Sequence, residues 1–260
     1  MENKTTGGTV GKALRVLDEV ASASKPIKFS DLLENSSYPK ATLYRLLQTL
    51  VGERLVQFDE ASQRYSLGVR LVSLAHSAWQ QASLAPIASD AINRLSQEVG
   101  ETVHLAQLDG GQVLYVDKRN ASRPIQMFSD AGKVGPVYCT GVGKAMLAFL
   151  PEKKQARIID QQSYFAFTSH TITSTQALRE ELALIKQHGI AYDREEHEPG
   201  IICIAAPILS GSGQVFGGVS ITTSTQRYTL AALDEFRVSL TNTANEIARN
   251  AEAWRFPETI

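Results

Sequence analysis

The chain has 260 residues, 43% of them hydrophobic and 20% charged, with a formal net charge of −1 and only two cysteines, Cys139 and Cys203. That is long enough for two globular domains and too poor in cysteine for a disulfide framework, and no run approaches the roughly 18 apolar residues of a membrane span. The charge is uneven, with ten Lys or Arg against eight Asp or Glu up to residue 75 and sixteen against nineteen beyond it, so a weakly basic head precedes an acidic body. Residues 1–9 are polar rather than a signal peptide, and a cytoplasmic protein without membrane contact is expected.

Residues 28–36 read as a short helix capped by Ser30, with Leu32 and Leu33 turned inward and Asn35, Ser36 and Ser37 as a turn. Pro39 fits the first turn of a second helix, where its missing N–H costs nothing. There Leu43, Leu46, Leu47 and Leu50 follow the i, i+3, i+4, i+7 spacing of one buried stripe, leaving Lys40, Thr42, Tyr44, Arg45 and Gln48 largely outward. After Gly52, the strand-like stretches 55–58 and 65–67 flank the polar tip from Asp59 to Arg64. Two helices on a tight turn followed by a hairpin is the layout of a winged helix-turn-helix for DNA; a small bundle with a solvated polar face would give the helical part of the same pattern.

Residues 69–81 continue as a helix carrying Val69, Leu71, Val72, Ala75 and Trp79. Apolar on more than one side, it reads as a linker that also serves a dimer contact. Residues 86–99 form an amphipathic helix stopped by Gly100. Stretches 102–108 and 112–117 are strands around a tip at Asp109, Gly110 and Gly111. Cys139 ends a strand that feeds a Gly-rich helix start at Thr140, Gly141, Val142 and Gly143, followed by Lys144, Ala145, Met146 and Leu147. The GxxxxGK spacing of a P-loop is absent there, but glycines and open N–H groups at a helix start favour an anion. Thr173 and Gln176 make a capping box before a helix with Leu178, Leu182 and Ile185 on one face, closed by Gly189. Stretches 201–209 and 215–222 pair as strands, with Ser220 and Thr222 on one strand face, and a long helix over 229–254 closes the chain. Hairpin-linked strands with helices between and after them point to an α+β fold with an antiparallel sheet.

These residues resemble the IclR (isocitrate lyase regulator) family of bacterial transcription factors over nearly the whole chain. Its opening helix is echoed by Ala13, Leu14, Val16, Leu17 and Val20. The recognition helix is matched by Pro39, Lys40, Thr42, Tyr44, Arg45, Leu46 and Leu47, and the wing end by Arg64, Tyr65, Leu67 and Gly68. Ala41 stands where the family usually has Ser, Ser37 where it has Gly, and Leu33 where it has Ala. The resemblance implies a winged helix-turn-helix domain over 1–70, a linker helix over 71–83, and a GAF-like effector-binding and oligomerisation domain over 84–260. It implies a ligand-responsive regulator, more often a repressor, that binds a palindromic operator on double-stranded DNA as a homodimer or dimer of dimers. The DNA face would comprise Lys40, Ala41, Thr42, Tyr44, Arg45 and Gln48 of the helix over 40–51, with Arg64 in the wing. For the effector, a small organic acid, it implies Gly141, Val142, Asp193, Cys203, Ser220 and Thr222, with Leu114 and Met127 as an apolar wall.

Three other chemistries stay open on residue types alone. His104, Cys139, His197 and Cys203 are legitimate zinc ligands, although their spacing matches no compact motif. A thiol sensor would need a depressed cysteine pKa. An enzyme would need Cys203 activated by a histidine base. The expectation is that no cofactor or metal is held and that the chain is not an enzyme.

Overall fold

A computed structural model describes residues 8 to 253. The chain separates into two compact units, one ending at Gln81 and one beginning at Ala82.

In the first unit, helix α1 (Thr9–Ser22), strand β1 (Ile27–Lys28), helices α2 (Phe29–Asn35) and α3 (Lys40–Gly52), strands β2 (Val56–Asp59) and β3 (Arg64–Leu67) and helix α4 (Arg70–Ala82) follow in order. The leucines of α3 are buried together with Val16, Val20, Leu32, Val56 and Tyr65, so the predicted stripe is the core of this unit. Three antiparallel strands pair in the order β1, β3, β2, with Phe58 opposite Tyr65. Two helix starts differ from expectation. Pro39 precedes α3 as its cap residue rather than lying within its first turn, and α2 begins at Phe29 without a side-chain cap. Ser30 lies inside α2, its hydroxyl donating to Asp31 Oδ1 at 2.8 Å, because burying Leu32 sets where the helix begins. Val72, Leu74 and Trp79 of α4 are exposed.

The second unit contains α5 (Ala85–Val99), β4 (Thr102–Asp109), β5 (Gln112–Arg119), β6 (Val134–Gly135), α6 (Gly141–Ala148), α7 (Glu152–Asp160), α8 (Thr175–His188), β7 (Ala191–Arg194), β8 (Ile201–Leu209), β9 (Val215–Ser224), α9 (Leu230–Leu233), a 3₁₀ turn (Asp234–Phe236) and α10 (Arg237–Ala253). Six strands form one antiparallel sheet in the order β6, β5, β4, β9, β8, β7. Period-two alternation gives each face its own core. Val103, Leu105, Ile202, Ile204, Val219 and Ile221 pack with α5 and α10, whereas Ala106, Tyr115, Ala191 and Ala205 pack with α6 and α8. Pro207 is tolerated in β8 because β7 pairs only with residues 202–205, so the strand edge beyond them needs no donor.

Helices α5 and α8 end where predicted, on Gly100 and Gly189 in the left-handed region at φ +68° and +73°. The cap of α8 is Ser174, whose hydroxyl accepts from the Ala177 N–H at 3.2 Å, and not Thr173. The predicted terminal helix is broken into α9, the 3₁₀ turn and α10, with Thr229 as the cap of α9; Trp254 lies outside the described residues. Cys139 is not in a strand, because β6 stops at Gly135 and the chain bends before α6.

Candidate functional site

In the first unit, α3 carries Lys40 and Arg45 and no acidic residue, and its outer face is bare. Lys40, Ala41, Tyr44, Arg45 and Gln48 are exposed, while Thr42 is half-buried. Among the described residues no ion pair engages Arg45. Tyr44 stands edge-on to Phe29 with ring centroids 6.1 Å apart, which fixes its ring while leaving it 53% exposed. The wing is hydrogen-bonded at both ends. At its tip the Asp59 carboxylate accepts from the Ala61 N–H at 3.0 Å and from the Ser62 hydroxyl at 2.6 Å. At its base the Arg64 guanidinium donates to the Pro26 carbonyl at 2.7 Å, so this side chain is tied to the β1 approach.

In the second unit, the register of three central strands builds a polar floor. Asp193 pairs with Cys203 and Cys203 with Thr222; two rungs along, on the same face, Ala205 pairs with Ser220 and Ser220 with His104. Helix α6 lands on this floor, and Gly141 comes so close to Cys203 and Ala205 that a Cβ has no room. Thr140 spends its hydroxyl on the Pro136 carbonyl at 2.7 Å and does not cap α6, whose first intrahelical bond is Lys144 N–H to the Thr140 carbonyl at 2.9 Å. The N–H groups of the first turn are therefore available, and the helix dipole adds positive potential there. A cavity of about 30 Å³ lies against this helix start, and its walls include Gly141, Val142, Asp193, Cys203, Ser220 and Thr222.

Burial shifts the titration of the groups around the cavity. His104 is fully buried and pushed down to about 4 by burial and by the nearby Lys118 ammonium, so it is neutral. Its Nε2 lies 2.9 Å from Ser129 Oγ and its Nδ1 3.2 Å from Thr222 Oγ1. The Asp193 carboxyl is raised to about 7 by burial first and by the Glu196 charge second, while its Oδ1 accepts from the Glu196 N–H at 2.8 Å. Behind the helix start lies a buried charge cluster. Lys144, fully enclosed, ion-pairs with Glu196 and, at 3.2 Å, with Glu181, and Arg194 closes the group at 2.7 Å from Glu181.

Of the residues named from the sequence, six thus meet at one cavity. Leu114 and Met127 do not line it. Tyr115 takes the wall position, because adjacent residues of β5 face opposite sides of the sheet, and Met127 is buried elsewhere. Tyr115, Ser129, Thr140, His197, Glu198 and Ile201 are wall residues that the sequence does not single out, and His104, expected only as a metal ligand or a histidine base, is another. The signal for His104 is its rung opposite Ser220, which exists only once β4 and β9 are paired.

Among the described residues no three His, Cys, Asp or Glu side chains converge to hold a metal. Both thiols are pushed well up, chiefly by burial, the reverse of what a reactive cysteine needs. No histidine hydrogen-bonds Cys203 among the described residues.

Comparison with known proteins covers both units. Residues 9–60 match the family model described as the IclR helix-turn-helix domain, and residues 76–249 match that of the bacterial transcriptional regulator IclR C-terminal domain. The HTH-type transcriptional regulator KdgR of Escherichia coli is 33% identical over 224 residues, which span 86% of this chain and 85% of KdgR. The crystal structure of Thermotoga maritima IclR superposes with a TM-score of 0.76 at 30% identity, covering 93% of this chain and 97% of that one. An IclR homologue from Microbacterium hydrocarbonoxydans, crystallised with 4-hydroxybenzoate, shares the fold with a TM-score of 0.79 at 21% identity, over 94% and 99% of the two chains.

Proposed function

The chain belongs to the IclR family of DNA-binding bacterial transcriptional regulators, and from that premise we propose that it is a cytoplasmic repressor whose grip on a palindromic operator is set by a small organic acid bound at the start of α6. The observation that carries the ligand half is the meeting of Gly141 and Val142, at the start of α6, with Asp193, Ser220 and Thr222 around one cavity. Backbone donors at a helix start hold a carboxylate, the two hydroxyls add donors, and Asp193 partners a hydroxyl or hydrate on the ligand. Charge-assisted hydrogen bonds contribute roughly 1.5–3 kcal/mol each, so three or four leave micromolar to millimolar affinity after ordering costs. An acid, 4-hydroxybenzoate, is the ligand crystallised with the Microbacterium protein of the same fold.

The DNA half rests on the acid-free outer face of α3. Arg45 and Tyr44 read the major groove, Lys40 and Gln48 position the helix, and the wing follows the flanking backbone. A head with so slight a basic excess neutralises few phosphates, so useful affinity comes from a homodimer or dimer of dimers, which places a second head at high effective concentration. The effector acts by favouring one arrangement of the heads, a coupling of about 1–3 kcal/mol.

Fluorescence anisotropy on DNA from the protein's own promoter, titrated with hydroxy, keto and semialdehyde acids, tests both halves. Specific binding that one acid releases is the expected result. Binding that no acid changes would remove the ligand assignment, and absence of specific binding by the assembled oligomer would remove the operator assignment.

A further inference from the structure

The cavity at α6 is small. Its volume of about 30 Å³ corresponds to about two waters, each needing roughly 10–15 Å³, and little of an organic acid beyond its head group fits there. Two of its wall residues, His197 and Glu198, also line a neighbouring cleft of about 790 Å³. Both shared side chains are anchored on residues of the cleft wall. Both carboxylate oxygens of Glu198 accept from the Phe128 N–H, at 2.9 and 3.1 Å, and the His197 ring lies edge-on between Phe128 and Phe167 at centroid distances of 5.3 and 4.8 Å. His197 and Glu198 are thus the side chains that both spaces share.

The outer cleft has the chemistry of a ring site. Phe128 and Phe167 are 40% and 42% exposed beside it, and Tyr138 and Pro136 complete an aromatic and apolar wall. The Lys133 ammonium stands 4.8 Å from the Phe128 ring centroid, which places a positive charge beside the cleft. Exposed aromatic faces next to an anion-binding helix start are complementary to an anion with an aromatic tail.

We propose that this cleft is the outer half of the effector site, and that the effector is a carboxylic acid bearing an aromatic ring, its head at Gly141 and Val142 and its ring against Phe128 and Phe167. This rests on the reading of the inner cavity as a carboxylate site. A two- or three-carbon acid then fills only the head position. The ring supplies the remaining affinity and displaces His197, which couples occupancy to the loop between β7 and β8.

The test is calorimetric titration of the full chain with two matched pairs, pyruvate with phenylpyruvate and lactate with 3-phenyllactate, each pair sharing a head and differing by the ring. The ring-bearing member should bind at least about tenfold more tightly, as burial of one phenyl group provides. Phe167→Ala, at a position exposed enough to leave folding intact, should abolish that advantage and leave the short acids within about twofold, whereas Ser220→Ala should weaken all four. Equal affinity within the pairs, rejection of the ring-bearing acids, or an unchanged ratio in Phe167→Ala would overturn the proposal while sparing the inner site. A change of oligomer mass in Phe167→Ala without a change of affinity would do the same and reassign the aromatic face to contact between copies. If none of the four acids binds, the carboxylate reading fails and the outer compartment fails with it.

Discussion

Gly141 faces Cys203 so closely that a Cβ at position 141 would overlap the Cys203 sulfur and lie 3.3 Å from the Ala205 Cβ. The first turn of α6 can reach the sheet only because residue 141 has no side chain and residue 205 has a minimal one. Gly141→Ala should destabilise the second unit by about 1–3 kcal/mol through overpacking, and should lift the N–H groups off the cavity. Urea unfolding measures the first effect. Adding Cys203→Ala, which removes the sulfur, should restore most of the lost stability; full additivity of the two changes would show that their contact is not the cause.

Lys144 is wholly buried and neutralised by Glu196 and Glu181. Burial alone raises the Glu181 carboxyl, but Lys144 and Arg194 outweigh it and the net shift is downward, whereas burial prevails at Glu196 and its carboxyl is raised. Lys144→Met takes from Glu196 its close partner in a low-dielectric site, while Glu181 keeps Arg194, and should cost about 3–5 kcal/mol. The double change Lys144→Met with Glu196→Leu should recover much of that loss, measured by the same unfolding assay.

Asp193 gives the protein a pH dependence of definite sign. Its carboxyl is raised to about 7 by burial and then by Glu196, so across the window above its unfolded value near 4 the folded state holds a proton that the unfolded state has lost. The stabilisation is complete below about pH 4 and is lost as pH rises through 7, at most about 4 kcal/mol for a shift of this size. Asp193→Asn should flatten the fall in unfolding midpoint between pH 5 and 8, leaving the contribution of Glu196, whose carboxyl burial also raises. An anionic ligand beside Asp193 should likewise bind several-fold more tightly at pH 6 than at pH 8 in the parent protein and equally at both in the variant.

Arg45 projects from α3 with no ion pair among the described residues, so its loss should leave the fold alone. Arg45→Ala should weaken specific operator binding by about 1–3 kcal/mol per head and leave ligand binding unchanged, read by anisotropy and calorimetry on one preparation. Arg64→Ala should behave differently. Because that guanidinium holds the Pro26 carbonyl, its removal should loosen the wing and lower the stability of the first unit as well as its DNA affinity. Retention of full DNA affinity by Arg45→Ala would take Arg45 out of the reading face.

What the sequence determined by itself is what a short window contains. The leucine spacing of α3 defines its buried stripe, Gly100 and Gly189 stop their helices, and the tip at Asp109, Gly110 and Gly111 joins β4 to β5. Family resemblance added the six residues that meet at the cavity, which no local pattern connects. Where local signals were nearly equivalent the outcome shifted by a residue or more, as with Ser174 in place of Thr173, because the choice of cap depends on which turn the buried face requires. Tertiary structure alone decided the rest. His104 joins the site through the rung it shares with Ser220, Tyr115 displaces Leu114 because a strand's neighbours face opposite sides, and the charge of Lys144 is met by carboxylates 37 and 52 residues away. Periodicity is a property of the chain, but strand register and the burial of charge are properties of segments distant in sequence brought together, and no local spacing encodes them.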